Sequence, residues 1–149
     1  MKKAEIVMVL LALIAVVLRL LSIEGGVFLS TLSFGILSFF YLLLAFLLLN
    51  NIPLRRLFKK EVYQDTGWKR LLWAVLTGIV LMLGIPGILF VLNQWEGASL
   101  LIRTGALLLL PVFAISLIRY IPKPSRYHAG ILVRSGILLL TSILLILFR

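Results

Sequence analysis

Residues 71–117, LLWAVLTGIVLMLGIPGILFVLNQWEGASLLIRTGALLLLPVFAISL, contain two long apolar runs joined by the short turn Trp95-Glu96-Gly97-Ala98. A run of about 17 to 25 apolar residues can cross the roughly 30 Å hydrocarbon core of a membrane as an α-helix. The same arrangement occurs 72 residues earlier, where Ile23-Glu24-Gly25-Gly26 joins two further apolar runs. The sequence therefore predicts a helical hairpin that is used twice inside a membrane.

The composition of the whole chain agrees with this prediction. Of its 149 residues, 62% are hydrophobic and 13% are charged, whereas soluble domains are about half apolar and a quarter charged. We predict an all-α, polytopic membrane protein with five transmembrane helices, at 6–21, 27–49, 71–92, 100–117 and 131–148. The fifth is predicted to be the weakest span, because Arg134 lies in its first turn, from where its side chain can extend to the headgroups.

The predicted spans form a single membrane domain over residues 1–149. It consists of a first hairpin at 4–49, an amphipathic cytoplasmic linker at 50–70, a second hairpin at 71–120 and a C-terminal transmembrane helix at 128–149. The N-terminal segment resembles a signal peptide but has no small-x-small cleavage site. We therefore expect it to be retained as the first helix.

The distribution of basic residues predicts the orientation, because short cytoplasmic loops are enriched in Lys and Arg. Twelve of the fifteen basic residues precede the first span or lie in or beside the segments that join span two to three and span four to five. The two Glu-Gly turns contain no basic residue. The N-terminus is therefore predicted to be cytoplasmic and the C-terminus periplasmic, in a bacterial inner membrane.

The linker has a further pattern. Four basic residues share one face of a possible helix whose other face is apolar, a composition typical of an interfacial helix that contacts anionic headgroups; these candidate lipid contacts are Arg55, Arg56, Lys59 and Lys60. The alternative is a charged loop that only sets the topology. In both cases the net charge of +10 points to membrane lipids as partners and not to nucleic acid.

Small residues within the spans indicate where helices can approach closely, because packing drives helix association in lipid. The candidates are Thr31, Gly35 and Ser38 in span two and Ala74 and Gly78 in span three. Pro86 and Pro111 are expected to kink the third and fourth spans. Neither proline is repeated at the 72-residue offset, so we interpret them as packing features and not as a transport site.

The charged residues nearest the two turns suggest an electrostatic tie. Arg19 and Arg103 are each close to a turn that carries a glutamate, Glu24 or Glu96. We predict that these four side chains form interhelical ion pairs that hold the two hairpins together. The remaining acids, including Glu5, are expected at the cytoplasmic side, with no acid deep in a span.

No set of residues predicts a reaction. The chain has no cysteine, one histidine (His128) and five acids that are dispersed along the sequence. It contains no nucleophile–base pattern, no metal-ligand spacing and no phosphate-binding loop. We expect no catalytic, cofactor-binding or metal-binding residues and no enzymatic activity.

Residues 90–101, FVLNQWEGASLL, resemble the hairpin of the small inner-membrane subunit of the gliding-motility and type 9 secretion motor, a family of Bacteroidetes. That family has a Leu-Phe-Lys-x-x-His-Trp-Pro-Gly-Ala pattern between its two spans. Trp95, Gly97 and Ala98 match, whereas Gln94 and Glu96 replace the His and the Pro. Residues 18–26, LRLLSIEGG, resemble a looser copy.

The resemblance covers two short hairpins and implies a bacterial, inner-membrane location. It does not imply motor activity, because the acid thought to couple proton flow in that family aligns with Leu37 and Leu109 of this chain. The sequence then favours a non-enzymatic accessory or structural subunit of an inner-membrane complex, with other membrane-protein subunits or a second copy of the chain as partners. A small oligomeric channel or transporter and an anionic-lipid-binding protein are the alternatives.

Overall fold

A computed structural model describes residues 2–50, 52 and 67–148, and this part of the chain consists of five α-helices. In chain order they are α1 (Lys2–Leu20), α2 (Gly26–Leu49), α3 (Trp68–Leu92), α4 (Ala98–Tyr120) and α5 (Arg126–Leu147). Each predicted apolar run corresponds to one of these helices. The all-helical fold class is therefore confirmed for the described residues.

Four of the helices, α2 to α5, are long and apolar enough to cross a membrane, as expected for a multi-pass membrane protein. The prediction of five spans includes one helix more, α1, which is not among these four. The prediction that α5 is the weakest span is wrong. Helix α5 qualifies despite Arg134, whereas α1 carries Glu5 and Arg19 in its first and last turns besides two N-terminal lysines. The charges at both ends of α1 set it apart.

The two predicted turns have the same backbone conformation. Helices α1 and α3 both end in a Schellman motif, with Ser22 and Gln94 in the left-handed region at φ 54° and 57°. Gly25 and Gly97 follow at φ 85° and 79° and precede α2 and α4. Backbone hydrogen bonds repeat at the same offset: Ile23 N–H donates to the Leu18 carbonyl, and Trp95 N–H donates to the Phe90 carbonyl. The two hairpin turns thus share their left-handed residues and their backbone hydrogen bonds.

The helices pack around α3. Helix α3 packs against α2, α4 and α5. Helix α5 also packs against α4, and α1 packs mainly against α2. Leu81 and Ile85 of α3 are fully buried between these neighbours, together with Leu109 of α4. Large apolar side chains such as Phe28 and Leu100 are exposed on the outer surface, which suits a bundle whose surroundings are lipid.

Glycines bring α3 close to α2 and to α4. A Cβ atom on Gly78 would lie 2.6 Å from the Ala45 Cβ atom, and one on Gly105 would lie 3.1 Å from the Gly84 Cα atom. Helices α3 and α4 continue through Pro86 and Pro111. The prolines therefore do not break the spans into half-helices.

Candidate functional site

A buried polar cluster joins α1, α2 and α5. The Arg134 guanidinium donates from Nε to Glu5 Oε1 at 2.5 Å and from Nη2 to Glu5 Oε2 at 2.6 Å. The Tyr41 hydroxyl donates to the same Oε1 atom at 2.7 Å. The Arg134 and Glu5 side chains are 17% and 11% exposed. The result is a bidentate ion pair shielded from solvent, in which both carboxylate oxygens are occupied.

The depth of this cluster was not predicted. Arg134 lies eight residues after the first residue of α5, and Tyr41 lies eight residues before the last residue of α2. At 1.5 Å per residue, both are about 12 Å inside the ends of their helices. The Arg134 side chain is therefore not extended away from the bundle as expected but is held by Glu5 of α1. Glu5 itself lies in the first turn of α1, so its location at the cytoplasmic side stays a prediction. Each supplies the counter-charge that lets the other remain in the bundle.

The pattern alone does not pair Glu5 with Arg134, because the two residues are 129 positions apart. The sequence nevertheless contains a signal for this pair. Counted inward from the segment ends that are rich in Lys and Arg, Glu5 and Arg134 are the last charged residues before a long uncharged stretch. In lipid such charges are costly unless they are paired. The cost of an unpaired charge in lipid therefore favours a pairing of Glu5 with Arg134.

The predicted ion pairs at the turns are not formed. Arg134 with Glu5 is the one ion pair among the described residues, and no two of Arg19, Glu24, Glu96 and Arg103 are paired. Glu24, Glu96 and Arg103 are exposed, where water screens charge and ion pairs gain little. This part of the electrostatic hypothesis is corrected by the structure.

Arg19 nevertheless links the two hairpins through a neutral partner. Its Nε atom donates to Asn93 Oδ1 at 3.2 Å, and the Ser30 hydroxyl donates to the same oxygen at 3.3 Å. Asn93 and Ser30 are buried. The hairpins are therefore linked by the Asn93 amide and not, as had been expected, by a glutamate. Asn93 was not a candidate because it carries no charge.

Removing this amide is expected to loosen the contact between the hairpins. We expect Asn93→Ala to lower the free energy of unfolding by about 1 to 3 kcal/mol, because the charged Arg19 donor loses its acceptor. The Ser30 hydroxyl keeps the Val27 carbonyl as an acceptor at 2.9 Å. Asn93→Asp keeps an acceptor at the same place and should remain more stable than Asn93→Ala. Denaturant unfolding of the two purified variants in detergent measures the difference, and equal stability would contradict the role of Oδ1.

The predicted packing residues fall into two groups. Ser38 donates from its hydroxyl to the Met82 carbonyl on α3 at 2.9 Å, Ala74 is fully buried and Gly78 contacts α2. Thr31 and Gly35 of α2 are instead exposed. Only three of the five candidates therefore pack within the described bundle.

The predicted headgroup contacts Arg55, Arg56, Lys59 and Lys60, and with them the interfacial helix of the linker, lie outside the described residues. Within the described part of the chain, no three histidine, aspartate or glutamate side chains are grouped as metal ligands would be. Among the described residues, the Glu5–Arg134–Tyr41 cluster is the polar site with the most hydrogen bonds between helices.

Comparison of the chain with known protein families, with curated proteins and with solved structures finds no match. The resemblance to the motor subunit consequently stays a prediction, and the function has to be argued from the bundle itself.

Proposed function

We propose that the protein is a non-enzymatic subunit of a larger bacterial inner-membrane assembly, and that a transmembrane helix of another subunit packs on the face of α2 around Gly35. The observation that supports this most directly is the open space at Gly35. A Cβ atom built there would meet no atom within 4 Å. A wide apolar groove of about 620 Å³ runs along this face, between Met8 of α1 and Phe39 of α2.

The comparison with the glycines inside α3 and α4 gives the reason for choosing a helix as the occupant. At Gly78, Gly84, Gly87 and Gly105, a Cβ atom would lie within 3.1 Å of a neighbouring helix. Glycine inside a helix costs about 1 kcal/mol relative to alanine, and in membranes small residues allow close helix approach. Gly35 also lies inside an apolar helix, but no neighbouring helix of the described bundle covers it.

The proposed topology places all five helices across the membrane, with the N-terminus cytoplasmic and the C-terminus periplasmic. For α1, support comes from the partners of its two inner charges. Glu5 is neutralised by Arg134, and Arg19 binds Asn93. Because these contacts reduce the cost of placing charge in lipid, α1 is expected to insert only together with the rest of the bundle. The positive-inside bias supports the orientation.

A small channel or transporter is the second candidate, because an ionisable pair inside a membrane bundle is typical of ion and proton pathways. The saturation of Glu5 argues against this role. Both of its oxygens already accept hydrogen bonds from Arg134, and Tyr41 donates a third. The pair is better suited to holding α1 against α5 than to exchanging a proton.

Site-specific photocrosslinking in native membranes tests the subunit proposal. The chain has no cysteine, so a single cysteine can carry a benzophenone probe without side reactions on the protein. We place it at Leu32 or Phe39, beside Gly35, and at the control positions Leu107 and Val133, which are similarly exposed on α4 and α5. We expect one membrane protein to be crosslinked from the first two positions and not from the controls.

The variant Gly35→Leu, combined with the probe at Leu32, completes the test. A leucine there fills the groove, so the yield of the adduct should fall about tenfold, as for a loss of about 1.4 kcal/mol. Equal adducts from all four positions, or no adduct from Leu32 and Phe39, would contradict the proposal. An adduct consisting of two copies of this chain would replace the separate subunit with a homodimer.

A further inference from the structure

A second feature of the bundle is a basic cavity of about 360 Å³ at the end where α3 and α5 begin and α4 ends. Among the described residues that line it, no side chain is acidic. Four are cationic and two others carry a ring N–H or ring nitrogen; these six residues are Lys69, Arg70, Arg119, Arg126, Trp73 and His128. Like charges that converge on one cavity repel each other, and an anion bound there would relieve that repulsion.

Two of the guanidinium groups are held in place by aromatic rings. The Arg70 guanidinium stacks on the Tyr127 ring at 4.5 Å from its centroid, and that of Arg119 lies 5.7 Å from the centroid of Trp73. The Tyr127 hydroxyl donates to the Arg70 carbonyl at 3.0 Å. Stacking engages the faces of the guanidinium groups and leaves their N–H edges available to an anion.

The cavity also contains buried polar atoms that the described residues leave unpartnered. Trp73 Nε1 and His128 Nδ1 have no hydrogen-bond partner there, although a buried donor or acceptor without a partner costs about 1 to 3 kcal/mol. The cavity is bordered by Ser125 and Arg126 at the start of α5, where backbone N–H groups and the helix dipole favour negative charge. Cationic edges, an indole N–H and a helix N-terminus together form a site for an oxyanion.

We propose that this cavity binds the phosphate of an anionic phospholipid headgroup. Its three bordering helices α3, α4 and α5 are each able to cross a membrane, so their common end lies at headgroup depth. Basic pockets between transmembrane helices are suited to anionic headgroups, and arginine binds phosphate through two parallel N–H groups. The site uses residues distinct from the predicted linker contacts, and it does not depend on the subunit role proposed above.

Native mass spectrometry of the full-length protein in detergent tests the site, with phosphatidylglycerol as the anionic probe and phosphatidylcholine as the zwitterionic one. The test variant is Arg119→Gln combined with Arg126→Gln. The matched control is Lys123→Gln combined with Arg103→Gln, which removes the same charge outside the lining of the cavity. All four side chains belong to exposed residues, so folding should be retained; Arg119→Gln alone serves if it is not.

We expect the test variant to bind phosphatidylglycerol at least about tenfold more weakly, because it removes two of the four cations that line the cavity. The control should bind within about twofold of the unmodified protein. Equal loss in the two variants would show general charge attraction and overturn the site. Equal affinity for the two lipids would overturn its selectivity for an anionic headgroup. Binding of sn-glycerol 3-phosphate as tight as that of the lipid would overturn the lipid as source and assign the cavity to a soluble phosphate.

Discussion

Arg134→Leu is expected to lower the free energy of unfolding by about 3 to 5 kcal/mol, the usual cost of leaving one partner of a buried ion pair uncompensated. Glu5, in the first turn of α1, would then remain buried with only the Tyr41 hydroxyl as a donor. Because this ion pair ties α1 to α5, the loss should appear first as detachment of α1 from α5. Unfolding in detergent and the accessibility of a cysteine introduced into α1 measure the two effects.

The double variant Glu5→Leu with Arg134→Leu separates the ion pair from the packing of the two side chains. Replacing both members of a buried pair with apolar residues is often neutral or stabilising, so the double variant should regain most of the lost stability. Arg103→Leu is the matched control, since Arg103 is an exposed arginine of α4. If Arg103→Leu were as costly as Arg134→Leu, or if the double variant were no more stable than Arg134→Leu, the ion pair would not be the tie between α1 and α5.

The same substitution at two glycines is expected to have opposite effects. Gly78→Ala should destabilise the protein by about 1 to 3 kcal/mol, the usual cost of overpacking, because the new Cβ atom would lie 2.6 Å from the Ala45 Cβ atom and 2.8 Å from the Tyr41 carbonyl oxygen. Neither neighbour is the flexible end of a side chain. Helices α2 and α3 would therefore have to move apart.

Gly35→Ala is the matched control, since its Cβ atom would enter open space. Alanine is the better helix former by about 1 kcal/mol, so the isolated protein should be stabilised by up to that amount. Denaturant unfolding of both purified variants measures the difference in sign. A destabilised Gly35→Ala variant in the absence of any partner would contradict the open position of Gly35, and an unchanged Gly78→Ala variant would contradict the close packing of α2 on α3.

The two turns show how far the local sequence reaches. Glycine at 25 and 97 is readable as a left-handed residue between two apolar runs, and the structure has both in that conformation. The Schellman residues Ser22 and Gln94 were not singled out, because a non-glycine residue in the left-handed region carries no distinctive signal. The sequence therefore predicted that the turn is repeated, but not that Ser22 and Gln94 adopt the left-handed conformation.

The prediction about the charged residues failed for a related reason. Arg19 was paired with a glutamate because sequence proximity and charge suggest such a contact, but screening near water makes that contact weak. The structure instead gives Arg19 a buried amide from the other hairpin. A neutral partner 74 positions away cannot be identified from charge alone.

By itself, the sequence determined the helical fold class and the duplicated turn, and it located the five helices of the described residues to within five residues at each end. These depend on local properties, namely apolar run length and the backbone freedom of glycine. Only the tertiary structure decided that Glu5 meets Arg134, that Gly35 has no helix on it while Gly78 does, and that four basic residues line one cavity with Trp73. Such contacts depend on how helices rotate and pack against one another, and an almost uniformly apolar helix has no strong periodic pattern that specifies which face turns inward.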